Sequence, residues 1–512
     1  MSLDEKILDL ARNYRPLAVE ILQEAVRIPA DYVDKPESEG GDPLCGLSNH
    51  EGPRLEYLVQ RIVEIGAVAK ADDVWFDDFG NLVWTVQDPD DGIDPDDKVV
   101  VYLDGHTDTV AALRRRWGEA TGGVDSYDGL VDDSNLKRDF LENELGYLPP
   151  DDEWDNLIWG RGTADQLSGV VDQIIATKIM LELCAEGALR DVIIVSYGTV
   201  CEEDNDGAGP MHVVRKELPG AAPRRIPDVV ILSEGTGCAN DGACAIYRGQ
   251  RGRMQIEVEV TGKSCHGSMP WEGLNPLEYA GAILSEAAEK YDRREGFLDH
   301  DFLGHGTRTA SWATLDTPSD CAVPERFTFR FDRRLTIGET PEQSVADIES
   351  LAAVGRARDA GLKVDIRVPT YDKPTWKGTV AGNPQIYAGW ITPEDHPAIQ
   401  TAVDTYRRVV TPQVPKDGTR GALRQEPRVG RWIFSTDGVG YPIPKDDTSI
   451  DVPERKRWVV SGAFKHPAMF GFGSGIEQNT HKIGECVDAR EMQAVIALIA
   501  RFPSLYAERV RG

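Results

Sequence analysis

Short runs made wholly of apolar residues recur along this chain, and each leads into a histidine or a carboxylate. Residues 99–103 precede His106 and Asp108, residues 192–195 precede Glu202 and Glu203, and residues 229–232 precede Glu234. A strand without polar alternation is buried on both faces, the condition of a parallel sheet covered by helices. The pattern predicts an α/β fold: a catalytic domain with a mixed, mostly parallel sheet flanked by helices, and polar chemistry gathered just beyond the strands.

The residue types at those ends suit metal binding. His106 and Asp108 stand two positions apart, which on extended backbone puts both side chains on one side. A ligating imidazole needs an acceptor on its other ring nitrogen, so His106 would ligate and Asp108 would orient it. In the segment IWGRGTADQLSGVV, Gly160 and Gly162 permit a tight path before Asp165, and an apolar helical stripe follows. Taken alone, Asp165 reads equally as a ligand or as the N-cap of that helix. Glu202 and Glu203 repel one another unless a cation or a proton separates them. If they are strand-like they point opposite ways, one toward metal and its neighbour toward substrate as a base. Near the C-terminus Gly471, Gly473 and Gly475 form a loop ahead of His481. Two histidines, two terminal carboxylates and one shared aspartate suit a pair of divalent ions, each with an open position for water.

A second domain is legible between residues 251 and 369. Met254, Ile256, Val258 and Val260 alternate with Gln255, Glu257 and Glu259. A helix is expected over 276–291, strands near 309–315 and 327–331, a helix from 341 to about 353, and a strand at 364–368. The order βαββαβ is ferredoxin-like. Residues 1–250 and 370–512 then form one discontinuous domain around an inserted one.

The segments GHTDT, GRGTADQ, CEED, SEGT and the late His481, in this order and strand context, resemble the di-zinc metallopeptidase family of aminoacylases, carboxypeptidase G and succinyl-diaminopimelate desuccinylase. Within it, YRGQRGRM, SCHGS, DRRLTIGET and YDKPTW are most similar to the selenium-metabolism-associated hydrolases. The resemblance implies one zinc on His106, Asp165 and Glu234, a second on Asp165, Glu203 and His481, and Glu202 as general base. It implies that the insertion is a lid and a dimer contact. His266, in SCHGS, would reach the partner subunit's site and stabilise an oxyanion. Arg334 would clamp a substrate carboxylate, and Ser435 and Thr436 of STDGV would line the pocket.

The implied reaction is hydrolysis of an amide bond in a small carboxylate-bearing molecule, an N-acyl amino acid or a dipeptide. Two dications lower the pKa of a shared water toward roughly 7, so hydroxide is available near neutrality, and Glu202 takes and returns the proton. The alternative is a metal-dependent deaminase, and a silent metal-binding homologue is a third reading. Zinc is the expected ion, with manganese or cobalt accepted by such a carboxylate-rich set. One departure bears on substrate: Cys321 stands three residues before Pro324, where most relatives carry an asparagine, and a thiol is only a weak donor.

Composition narrows the partners. The chain has 512 residues and a net charge of −30, which repels nucleic acid and anionic membranes. Eight cysteines without paired spacing and no apolar leader are expected of a reduced, cytoplasmic protein. Residues 117–154, 411–431 and 440–457 read as long additions to the frame, the first expected at the mouth of the site. A small-molecule substrate and self-association through the inserted domain are the expected partners.

Overall fold

The computed structural model describes residues 1–31, 49–121, 136–221, 224–242, 244–414 and 423–512. Parts of two expected additions, 122–135 and 415–422, lie outside the described residues.

The apolar runs become the centre of an eight-stranded sheet. Its order is Val74–Phe76, Leu82–Gln87, Val192–Thr199, Val99–His106, Val229–Gly237, Ala468–Ile476, Ile246–Tyr247 and Val429–Gly430. The four strands from Val192–Thr199 to Ala468–Ile476 run parallel to one another. Antiparallel pairing enters on both sides of them, at Leu82–Gln87 and at Ile246–Tyr247.

Period-two alternation splits each run between two cores. Val99, Val101 and Leu103 join a cluster with the helices Leu3–Arg27, Ser168–Glu182 and Ala489–Arg511. Val100 and Tyr102 face the opposite side, among Trp390, Trp432 and Tyr441. The helix Ser168–Glu182 is buried almost all round rather than along one stripe, because it lies between the sheet and two long helices.

The second sheet comes from the inserted segment, in the antiparallel order Thr307–Asp316, Arg326–Leu335, Gly252–Thr261, Lys363–Arg367. This is the ferredoxin-like arrangement, with the first and third strands of the motif side by side in the middle. Met254, Ile256, Val258 and Val260 pack against the helix Pro276–Asp292 and its neighbours, as the alternation predicts. The expected helix from 341 is two helices, Pro341–Glu349 and Ala352–Asp359. Leu351 is extended between them, and the Glu286 carboxylate accepts hydrogen bonds from the N–H groups of Ala352 and Ala353, capping the second.

Gly471 and Gly473 sit inside a strand, not in a loop. A side chain at Gly471 would come within 1.9 Å of the Trp432 ring, and one at Gly473 within 2.0 Å of the Ser233 carbonyl. Close approach of an indole ring at Gly471 and of the neighbouring backbone at Gly473, not a turn, requires those glycines. Among the described residues no helix is long and apolar enough to cross a membrane, and no disulfide is formed.

Candidate metal centre

All five expected ligands come together at the C-terminal edge of the four parallel strands, where crevices form in open α/β sheets. His106 ends the strand Val99–His106, and Glu234 lies late in Val229–Gly237. Glu202 and Glu203 follow Val192–Thr199, while His481 follows Ala468–Ile476 at a left-handed φ of 61°. Asp165 arrives from the loop ahead of Ser168–Glu182, through Gly160 and Gly162 at φ of 156° and 88°. Its own backbone is extended and it caps no helix, so the N-cap alternative does not describe it.

The two oxygens of Asp165 are divided between two imidazoles. Oδ1 is 2.9 Å from His106 Nε2, and Oδ2 is 3.1 Å from His481 Nε2. Glu203 Oε2 is 3.0 Å from the same His481 nitrogen, and Glu234 Oε2 is 3.5 Å from His106 Nε2. Ligand atoms of His106, Asp165 and Glu203 all fall within 4.8 Å of one another. Glu202 Oε2 stands 3.9 Å from His106 Nε2.

Asp108 is buried beneath this group. One oxygen lies 3.3 Å from His106 Nδ1, and the carboxylate accepts the N–H groups of Glu202 at 3.2 Å and Glu203 at 3.0 Å. The glutamates are therefore not strand-like. They begin the one-turn helix Glu202–Asn205, reached through Cys201 at φ 63°, and Asp108 caps that turn while addressing the histidine.

Charge explains what the cluster wants. Burial works against a charged His106, but Asp108, Asp165 and Glu234 outweigh it and raise its pKa well above the ordinary imidazole value. Burial also opposes His481, yet Glu203 and Asp165 push it up to about 12. Burial and the Asp165 charge lift Glu234 to about 7, and burial lifts Glu202 well above the carboxylate range. Three acids and two imidazoles, all converging, form a donor set that fits divalent cations, with Glu202 beside it.

A cavity of about 300 Å³ opens over these residues, and Arg253, Arg334, Asp206, Phe434, Ser435 and Thr480 complete its wall. Arg334 and Arg253 face each other directly across two strands of the inserted sheet. Arg334 donates to Ser435 Oγ at 2.8 Å and to Asp332 at 2.8 Å. Ser435 donates to Asp206 at 3.1 Å, and Arg253 binds Asp206 at 2.6 Å. Arg253 and Asp206 escaped the sequence reading. Arg253 shares the polar strand face with Gln255 and Glu257, but its position over the pocket depends on pairing with a strand some 80 residues away.

Two expected residues lie elsewhere. Thr436 is buried, its hydroxyl donating to Gln250 at 2.8 Å and accepting from Gly438 N–H, so it does not join the pocket wall. His266 is exposed, on a two-residue strand paired with Ala322–Val323, and among the described residues its ring hydrogen-bonds with Ser268. A second grouping, Asp77, His212 and Glu217, also converges. There Asp77 is engaged by three backbone N–H groups and the Asn81 amide, and so serves its own turn.

Fold and centre together define an α/β scaffold of parallel strands with an inserted antiparallel sheet and a cluster of side chains suited to divalent metal. A family model described as the peptidase dimerisation domain, M20 type, matches residues 248–360. The chain is 30% identical over 463 residues to the uncharacterised protein YgeY of Escherichia coli K12, spanning 88% of this chain and 92% of that one. It is 33% identical over 146 residues to a putative succinyl-diaminopimelate desuccinylase of Mycobacterium tuberculosis, 28% of this chain and 36% of that one. The fold resembles that of the di-peptidase Dug1p from Saccharomyces cerevisiae, with a TM-score of 0.64 at 12% identity over 99% of both chains. The chain belongs to the M20 metallopeptidase family and is a metal-dependent hydrolase of C–N bonds.

Proposed function

We propose that this enzyme hydrolyses an amide bond in a small molecule bearing a carboxylate, such as an N-acyl amino acid or a dipeptide, using two divalent ions, most simply zinc. The observation that carries this reading is Asp165, whose two oxygens address two different imidazoles at 2.9 and 3.1 Å. A carboxylate so placed fits a bridge between two cations. His106, Asp165 and Glu234 would hold one ion, and Asp165, Glu203 and His481 the other.

Such ions, when bound, polarise a carbonyl and acidify water. The remaining work falls to this chain's own groups. Glu202 lines the pocket without a place in either ligand set, and burial favours its protonated form, so it accepts a proton from water and passes it to the leaving nitrogen. Arg334, held by Asp332 and Ser435, presents its guanidinium to a substrate carboxylate, with Arg253 beside it. His266, exposed on its own subunit, would complete the site of a partner, consistent with the match of residues 248–360 to a dimerisation domain.

The test has two parts. Elemental analysis of purified protein is expected to find two transition-metal ions per chain. A panel of N-acyl amino acids, dipeptides and amino-substituted aromatics, assayed for released amine and for ammonia, is expected to yield amine. Ammonia alone would reassign the enzyme as a deaminase, and native protein free of transition metal would overturn the reading.

A further inference from the structure

Behind Glu234 runs a chain of neutral side chains that the hydrolytic reading does not use. The Gln166 amide donates from Nε2 to Glu234 Oε2 at 2.7 Å, the same oxygen that lies 3.5 Å from His106 Nε2. The other end of the amide, Oε1, is 3.1 Å from Ser233 Oγ. Gln173 Nε2 in turn donates to Ser233 Oγ at 2.8 Å. All three side chains are buried.

The Glu234 carboxylate, with the serine hydroxyl at the amide's other end, sets the amide's orientation. Gln173 occupies a lone pair of the serine, which leaves the single hydroxyl proton to be given away, either to Gln166 Oε1 or to the Asp104 carbonyl 3.0 Å distant. With the serine hydroxyl against Oε1, the NH₂ of Gln166 must face Glu234. A flipped amide would set its carbonyl against a carboxylate in a dry interior, where such a contact is costly.

Two glycines clear the space. A side chain at Gly105, next to His106, would meet Gln166 Oε1 and Ser233 Oγ, each at 2.5 Å. One at Gly169 would meet the Ser233 carbonyl at 2.3 Å and its hydroxyl at 2.6 Å. The glycine of DGHTD and that of DQLSG are thus both required by this relay rather than by any turn. Among the described residues, Gln166 supplies the only neutral hydrogen bond that Glu234 receives.

We propose that Gln166 is a positioning residue for the metal bound by His106 and Glu234. It holds the Glu234 carboxylate in one rotation and takes up a lone pair that the cation does not need, while Ser233 and Gln173 hold Gln166. The proposal rests on the two-metal reading above, and it concerns one of the two ions. Outer partners of this kind typically carry about 10- to 100-fold in metal affinity.

The test is zinc binding to chelator-stripped protein, measured by competition with a chromophoric chelator. Wild type is expected to take two equivalents. Gln166→Met keeps length and removes both amide groups, and it is expected to weaken one equivalent by about 10- to 100-fold while leaving the other unchanged. Ser233→Ala, which unanchors the amide but leaves it present, should weaken the same equivalent, and it carries the test alone if the Gln166 variant does not fold. In a Glu234→Gln background, Gln166→Met should add no further loss, an outcome that general destabilisation would not give. Both equivalents binding at wild-type affinity in the two single variants, or an undiminished effect in the Glu234→Gln background, overturns the role of Gln166. Wild-type protein that takes up no zinc instead overturns the two-metal reading itself.

Discussion

Asp165 is asked to face two imidazoles at once, and its neighbours are arranged to let it. Glu485 accepts hydrogen bonds on one oxygen from the N–H groups of Gly162, Ala164 and Asp165, so the loop that delivers the aspartate is tied down before any ion arrives. Glu202 differs from the acids around it, for it touches the pocket while belonging to neither of the proposed ligand sets. Glu202→Gln should therefore retain both ions by elemental analysis and lose turnover by about 10² to 10⁴-fold. A loss below about tenfold with full metal content would remove it as the base. The imidazoles set the pH response of metal uptake. In the metal-free protein the surrounding carboxylates keep His106 and His481 protonated at neutral pH, with His481 at about 12. Those protons must leave when a cation binds, so affinity should rise as pH rises, about tenfold per pH unit for each proton displaced. Chelator competition at pH 6 and pH 8 measures this, and equal affinities at the two values would contradict it.

At the scale of elements, the buried salt bridge between Arg161 and Glu485 joins the loop after the strand Leu157–Trp159 to the segment just past His481. Replacing Glu485 by Ala would strand a buried guanidinium and release three backbone donors, and should cost about 3–5 kcal/mol in a denaturant titration. A cost under about 1 kcal/mol would mean that the segment is held by packing instead. That packing is substantial: Leu141 and Leu145, from the helix Arg138–Leu145 of the acidic addition, lie with Ile483 and Cys486 in one cluster. The described part of the addition thus buttresses the His481 segment and does not line the pocket itself; residues 122–135, the middle of the stretch expected at the mouth, lie outside the described residues. The difference shows what could be read in advance. Apolar runs announced the parallel strands, and strict alternation announced the strand Gly252–Thr261 to within a residue at each end, because burial dictates local pattern. The turn that makes Glu202 and Glu203 helical was hidden, since it depends on Asp108 accepting their N–H groups from another strand. Arg253, Gln166 and the seat of the addition were hidden for the same reason, each being defined by a contact distant in sequence.

At the scale of the whole molecule, a net charge of −30 must be reconciled with a dimerisation domain. Two such copies repel, so association has to come from apolar surface that excludes water, and it should strengthen as salt screens the charge. The inserted sheet ends at Thr307–Asp316, with no further strand beyond it among the described residues. Trp312 and Leu315 stand 46% and 41% exposed on it, one on each face of an unpaired edge. His266 is exposed on the same inserted segment and has no contact with the metal pocket of its own chain. If association through the lid brings His266 to a neighbour's pocket, breaking the dimer and removing the imidazole should have the same catalytic consequence. Trp312→Asp is expected to convert a dimer to a monomer in sedimentation velocity, to leave two ions bound per chain, and to lower kcat by about 10² to 10³-fold, the cost of one oxyanion donor. His266→Ala should lower kcat comparably while remaining dimeric. Mixing the two variants offers a stricter check than either alone, because a Trp312 edge intact on only one partner cannot rebuild the contact, and activity should stay low. A monomeric Trp312→Asp enzyme turning over at the wild-type rate would show that each chain completes its own site and that His266 serves something else.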